Sequence, residues 1–312
     1  MLTLIIFNGC GGEEKVDPIN KKQWEVFNFI PKESQLVIYM NLNELKKNNF
    51  WDKYLEPYFD QTETKAWLGD FEEQTGIGIN KGVAEVITST SRGRNNLVAF
   101  IFDQNVNKIH LYLNDKKKFS SELISGKKIF SLKDNNKSKI FFINDSTLIL
   151  LSSDVKLKDI LEGKYATINS NKDFIDIIQK IKNKKHFWFA INDGSTARYL
   201  FNKFVGNFNE LPGNKLIRAI KKVTFSAKFG EGIELETNLF CNNTKNAYLI
   251  SVGISSVLAM DIISERNYLL GQLTKNLEVS RIGSLINLEL KLTQKDMHKL
   301  DQLNKNTASR TY

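Results

Sequence analysis

The sequence predicts an α+β protein built as two similar halves, each an antiparallel sheet with helices packed on one face. Three observations carry this. Short β-rich runs bounded by turn residues alternate with segments of helical spacing along most of the 312 residues. Both halves open on a strand, followed by helices: residues 36–42 in the first and 186–191 in the second. Both halves also end on a hairpin with a helix after it, near residues 140–153 and 279–292. The boundaries that follow are a signal-like segment at 1–9, a tether at 10–26, halves at 27–165 and 166–303, and a tail at 304–312.

The elements follow in order. Leu36-Val37-Ile38-Tyr39-Met40 is an apolar, β-rich run after the turn residues Pro31 to Ser34. Asn43 is expected to cap a helix beginning Glu44-Leu45. Trp51, Tyr54, Leu55 and Tyr58 recur at three and four residues, the spacing of one helical face. A further helix over 64–75 carries Trp67, Leu68 and Phe71, and Gly76 stops it. Strands are expected at 86–90 and 97–102, and at 108–113, where apolar residues alternate. Short strands follow at 129–132, 139–143 and 147–151, the last two flanking Asn144-Asp145-Ser146. A helix over 155–161 ends at Gly163.

In the second half Ser195 opens a helix through Tyr199 and Leu200. Strands at 223–227 and 233–240 join through Gly230-Glu231-Gly232. A helix covers 246–263, and strands at 277–282 and 285–292 form the last hairpin. Thr293 caps a final helix containing Met297 and Leu300. The helix at 246–263 is interrupted by Ser251, Ser255, Ser256 and Asp261. It falls short of the ~20 apolar residues a membrane span needs, so it reads as buried.

Apolar residues make up 41% and charged residues 25%, which suits a folded, non-fibrous chain. The net charge of +9 and a pI near 9.2 come from dispersed lysines. No Arg-rich segment or aromatic-basic RNA-binding signature accompanies them, so nucleic acid is not an expected partner. Such a balance suits an anionic surface, at about 1 kcal/mol per well-placed Lys.

The N-terminus sets the expected compartment. Leu2, Leu4, Ile5, Ile6 and Phe7 form a short apolar stretch, and Gly9 precedes Cys10. Gly11-Gly12-Glu13-Glu14-Lys15 follows. The small residue before the cysteine, then an abrupt polar tether, resembles the end of a bacterial lipoprotein signal, in which the thiol receives a diacylglycerol. The resemblance implies Cys10 as the lipidation site. Phe7 and Asn8 depart from the preferred Leu and small residue, and no Lys or Arg precedes the apolar part. A start codon placed too late would explain both the short apolar part and the missing charge.

The body resembles uncharacterised bacterial exported lipoproteins, of the domain-of-unknown-function type, with duplicated α+β halves. The resembling residues are the run from Ile30 through Pro31-Lys32-Glu33-Ser34 to Leu42, the run from Gln74 through Gly76-Ile77-Gly78 to Val83, the strands around Gly230-Glu231-Gly232 and the helix at Ala247. The resemblance implies an extracytoplasmic, membrane-anchored location and supplies no catalytic residue.

A search for chemistry finds little. His110, expected mid-strand, His186 and His298 are far apart and show no zinc spacing. Cys241 reads as a buried small residue, and a Cys10–Cys241 disulfide stays open. Gly76-Ile77-Gly78 lacks the third glycine of a phosphate loop. Asp193-Gly194-Ser195-Thr196 sits where a helix cap is needed, and no GxSxG elbow occurs. No cofactor is expected. Trp51, Tyr54, Tyr58 and Trp67 form a candidate hydrophobic binding surface, with core packing as the alternative. The expected function is a non-catalytic binding or scaffold module for an envelope protein or lipid. The alternatives are an extracytoplasmic hydrolase and a lipid-binding groove between the halves.

Overall fold

A computed structural model describes residues 17–47, 71–79, 81–91, 94–104, 106–115, 117–133, 138–152, 155–205, 214–264 and 275–299. The first half contributes seven strands: β1 (Leu36–Asn41), β2 (Val83–Ser91), β3 (Arg94–Phe102), β4 (Phe119–Ile124), β5 (Lys127–Leu132), β6 (Ser138–Asn144) and β7 (Thr147–Ser152). The second contributes five: β8 (Phe187–Ile191), β9 (Ile220–Phe229), β10 (Ile233–Cys241), β11 (Leu277–Ile282) and β12 (Leu285–Leu292). All lie in one antiparallel sheet in the order β11-β12-β10-β9-β8-β1-β2-β3-β7-β6-β5-β4.

The two sets of strands therefore do not form separate sheets. They join where β1 pairs with β8, with Leu36 opposite Ile191 and Ile38 opposite Phe189. The reason lies in these two strands. Each would be the edge of its own sheet, with a row of unpaired backbone groups. Each is also apolar on both faces, the signature of a strand buried on both sides. Pairing them satisfies both needs. Outward from this seam the strand order is alike on the two sides: β1-β2-β3-β7-β6 on one, β8-β9-β10-β12-β11 on the other. Beyond β6, the β4–β5 hairpin is attached through a single register pair, Phe130 with Ile140.

Helices lie on both faces, not one. On the first face Val37, Tyr39, Ile87, Trp188 and Ala190 meet α1 (Lys21–Phe27), a helix over Leu157–Leu161 and another over Lys172–Gln179. These last two are termed α4 and α5. The opposite face carries two smaller apolar clusters. One packs the first half against α2 (Leu42–Lys46) and α3 (Asn107–Leu113). The other packs the second half against α6 (Gly194–Val205) and α8 (Thr244–Ser264), with α7 (Asn214–Ile217) between them in sequence.

Several elements differ from the sequence reading. The stretch expected as a tether up to residue 26 is part of the packed body from Asp17 onward. The Asp17 amide donates to the Lys182 carbonyl at 3.3 Å, and Ile19, Val26 and Phe27 are buried. A capping box starts α1, with the Gln23 amide donating to Asn20 Oδ1 at 2.8 Å and the Asn20 amide to Gln23 Oε1 at 3.0 Å. Residues 108–113 are helix, not strand. Ile109, Tyr112 and Leu113 are buried while Leu111 is 73% exposed, which is an i, i+3, i+4 pattern hidden inside an apparent alternation. The cap of α2 is Asn41, whose side chain accepts from the Glu44 amide at 3.1 Å, and not Asn43. Helix α5 and strand β4 had no counterpart in the sequence reading. Helix α5 buries Phe174, Ile175, Ile177 and Ile178, a gross burial term of roughly 6–12 kcal/mol.

No helix among the described residues is long and apolar enough to cross a membrane.

Candidate functional site

Cys10 and the aromatic set Trp51, Tyr54, Tyr58 and Trp67 lie outside the described residues. Phe71, next to that set in sequence, is 6% exposed and packs edge-on against Tyr112 at 5.5 Å, so it belongs to the core.

The other residues singled out in the sequence have structural roles. His110 lies on α3, not on a strand, with its ring 4.1 Å from that of Phe142. His186 precedes β8, and burial depresses its imidazole pKa. Cys241 is buried with no disulfide among the described residues, and that burial pushes its thiol up. Asp193 caps α6. It accepts from the Thr196 amide at 2.7 Å, from Thr196 Oγ1 at 2.9 Å and from the Ser195 hydroxyl. Burial alone would raise the Asp193 carboxyl, but these hydrogen bonds outweigh it and hold the carboxyl below its ordinary value. The Ser195 hydroxyl thus belongs to the cap of α6. Gly76-Ile77-Gly78 is a turn, closed by the Gly78 amide donating to the Lys81 carbonyl at 2.7 Å. Among the described residues, no group of three or more His, Cys, Asp or Glu side chains is placed to hold a metal.

Two surfaces have more to offer. The first lies on the face opposite α1 and α5, along the seam. Leu36, Ile38 and Met40 of β1 share this face with Phe187 and Phe189 of β8, their register partners being Met40–Phe187 and Ile38–Phe189. Phe189 pairs in turn with Phe225 of β9, and the two rings stack at 5.1 Å and 15°. Phe187 meets both, edge-on, at 6.4 and 6.0 Å. These residues are half-buried and uncharged. They lie between the two apolar clusters of this face, a strip joining the halves.

The second surface is on the α5 side, where β9, β10 and β12 carry polar residues on successive rungs. Glu236 pairs with Ser226 on one side and Glu289 on the other, and Asn238 with Thr224 and Asn287. Glu236 Oε1 accepts from Asn287 Nδ2 at 2.9 Å and from Asn238 Nδ2 at 3.1 Å. Asn287 Nδ2 also reaches Asn238 Oδ1 at 3.1 Å, and Lys182 Nζ pairs with Glu289 at 2.8 Å. The layer is buried beneath the chain leaving α5, and Glu236 is 5% exposed. That burial raises the Glu236 carboxyl, against the pull of Asn238 and Lys182. Four buried atoms of this layer, Glu236 Oε2, Ser226 Oγ, Thr224 Oγ1 and Trp188 Nε1, have no hydrogen-bond partner among the described residues. Each such group costs about 1–3 kcal/mol if left dry.

Lys184 lies close by. It is 2% exposed and donates to the Gln179 carbonyl at 2.7 Å and to the Ile181 carbonyl, placing its charge at the C-terminus of α5. Burial pushes its ammonium down to about 8, against the favourable charges of Asp17 and Glu236.

No protein-family profile matches the chain, and no curated protein matches it. Two solved structures of TP0453 do. Crystal form III aligns with a TM-score of 0.49 at 11% identity, covering 91% of this chain and 96% of that one. Crystal form I aligns with a TM-score of 0.49 at 10% identity, covering 91% and 95%.

Proposed function

We propose that this protein is a non-catalytic binding module of a bacterial envelope, anchored by a lipid on Cys10, that takes an acyl chain along the seam between its halves. The observation that carries the binding role is the half-buried aromatic strip of Phe187, Phe189 and Phe225 beside Leu36, Ile38 and Met40. Strands in a sheet are about 4.8 Å apart, so the row Ile38, Phe189, Phe225 and Thr237 spans about 14 Å. That is an uncharged track of the length a medium acyl chain needs. Anchoring rests on the sequence pattern around Cys10.

The shared strand order on the two sides of the seam supports reading the halves as copies related by a local two-fold axis normal to the sheet. The seam is then the junction between the copies.

The carboxylates support binding better than hydrolysis. Glycoside hydrolysis needs two carboxyl groups flanking the scissile bond from opposite sides. Glu236 and Glu289 are cross-strand neighbours on one wall, and each is engaged, by two amides and by Lys182 respectively.

The test is fluorescence titration of the full chain with a dansyl-labelled undecanoic acid. Saturable binding with a blue-shifted emission is expected. Phe189→Ala and Phe225→Ala should each weaken it at least about tenfold, or 1.4 kcal/mol. Absence of saturable binding, or binding indifferent to both substitutions in folded variants, refutes the seam as the site.

A further inference from the structure

We propose that the unit of α3, β4 and β5 docks on an anionic bilayer surface, with Leu111 and Leu123 entering the lipid and the lysines around them meeting its headgroups. The proposal rests neither on the seam nor on Cys10. The β4–β5 hairpin stands outside the strand order that the two halves share, added beyond β6 where β11 ends the other side. The unit also carries more than half of the net charge. Residues 107–133 hold seven lysines against Asp115 and Glu122, which is +5 of the chain's +9. Both acids are engaged close by. Glu122 pairs with Lys139 of β6 at 2.6 Å, and Asp115 Oδ1 accepts from the Lys117 amide at 2.9 Å. A local excess of positive charge of this kind attracts a negative surface.

Two leucines project from this basic surface, Leu111 at 73% exposure and Leu123 at 77%. They share one face of the sheet. Phe119, four residues before Leu123 and so on the same side of β4, packs edge-on against Tyr112 of α3 at 5.3 Å. They also belong to one patch. Leu111 stands a helical turn from Asn114, whose Oδ1 accepts from Lys128 Nζ at 2.5 Å, and Lys128 is the rung partner of Leu123. Ring contacts keep two lysines on this face: Lys118 over Tyr112 at 5.2 Å and Lys128 over Phe130 at 5.1 Å. Charge and projecting apolar groups together select the partner. A phosphate polymer would meet the lysines and leave the leucines in water. An uncharged apolar surface would meet the leucines and strip water from the lysines for nothing. An anionic bilayer offers both at adjoining depths, charged headgroups above acyl chains.

The test is co-sedimentation of the full chain carrying Cys10→Ser, so that no lipid anchor contributes, with vesicles of phosphatidylcholine alone or mixed with phosphatidylglycerol. Binding to the anionic vesicles should be tighter by about tenfold or more. Leu111→Ser with Leu123→Ser should weaken that binding about tenfold or more, and so should Lys108→Glu with Lys117→Glu. All four positions are exposed, and circular dichroism checks that the fold is kept. Lys172→Glu with Lys221→Glu makes the same change of charge at exposed positions outside the unit, and should weaken binding by less than about threefold. No preference for anionic vesicles overturns the proposal, and so does binding that either pair in the unit leaves unchanged. Equal losses from the two lysine pairs also overturn it, by showing that the charge of the whole chain is read and not this patch. No binding to either vesicle overturns it in favour of a protein partner with an acidic and apolar surface.

Discussion

Lys184 makes a prediction whose size follows from its setting. Its ammonium is held at about 8 in the fold, against 10.5 for an ordinary lysine, because burial penalises the charge. Between these values the unfolded chain binds more protons than the folded one, so stability rises with pH across this window. Below pH 8 both states are charged and the folded protein bears the full cost of the buried ammonium. At pH 9 the release is about 1 kcal/mol, and by pH 10 about 2–3 kcal/mol. Lys184→Met removes the titrating group and keeps most of the side-chain volume. It also removes the hydrogen bonds to the Gln179 and Ile181 carbonyls, which shifts stability at pH 7 but not its dependence on pH. The assay is urea unfolding of both proteins by tryptophan fluorescence at pH 7, 8, 9 and 10. All other titrating groups cancel in the difference. The wild-type protein should gain about 2–3 kcal/mol relative to Lys184→Met from pH 7 to pH 10. Parallel stability curves would refute the reasoning, by showing that Lys184 titrates alike in the folded and unfolded chains.

Two further predictions concern the frame. Trp188 is fully buried at the seam and stacked on Tyr39 at 5.6 Å. Trp188→Ala should cost about 3–5 kcal/mol by equilibrium unfolding, and a loss under 1 kcal/mol would mean that the seam is not the rigid centre of the sheet. Gly82 has φ of +95°, a backbone conformation that side chains with a β-carbon rarely adopt. Gly82→Ala should destabilise by more than about 1 kcal/mol, checked by thermal melting; an unchanged melt would refute the strained turn.

Much of the frame was legible because its signals are local. The unbroken apolar runs Leu36 to Met40 and Phe187 to Ile191 identify strands. Their apolarity on both faces also marks them as central strands. The hairpin at Asn144-Asp145-Ser146 and the cap at Asp193 follow from turn and capping chemistry. Residues 108–113 were misread because Ile109, Leu111 and Leu113 satisfy a period of two as well as the helical set Ile109, Tyr112, Leu113. Only packing, which leaves Leu111 outside, decides between them. Helix α5 was readable from Phe174, Ile175, Ile177 and Ile178 with Asn171 as its cap, whose side chain accepts from the Phe174 amide at 3.2 Å.

The polar layer was hidden for a different reason. Glu236 and Asn238 alternate with Leu235, Thr237 and Leu239, which reads as a solvated strand face. Burial comes from the chain after α5, about fifty residues earlier, and the partners Asn287 and Glu289 lie about fifty residues later. Pairing at that separation is set by sheet order, which no local pattern encodes. The aromatic strip is similar. Phe187 and Phe189 are two residues apart in sequence, but only the β8–β9 register adds Phe225 and only the β1–β8 pairing adds Ile38 and Met40.

The most direct measurement is the intact mass of the protein extracted from the membranes of its own cell. The account predicts a chain that begins at Cys10 and carries the mass of a diacylglycerol on that sulfur. A full-length, unmodified polypeptide recovered from the soluble fraction would contradict it.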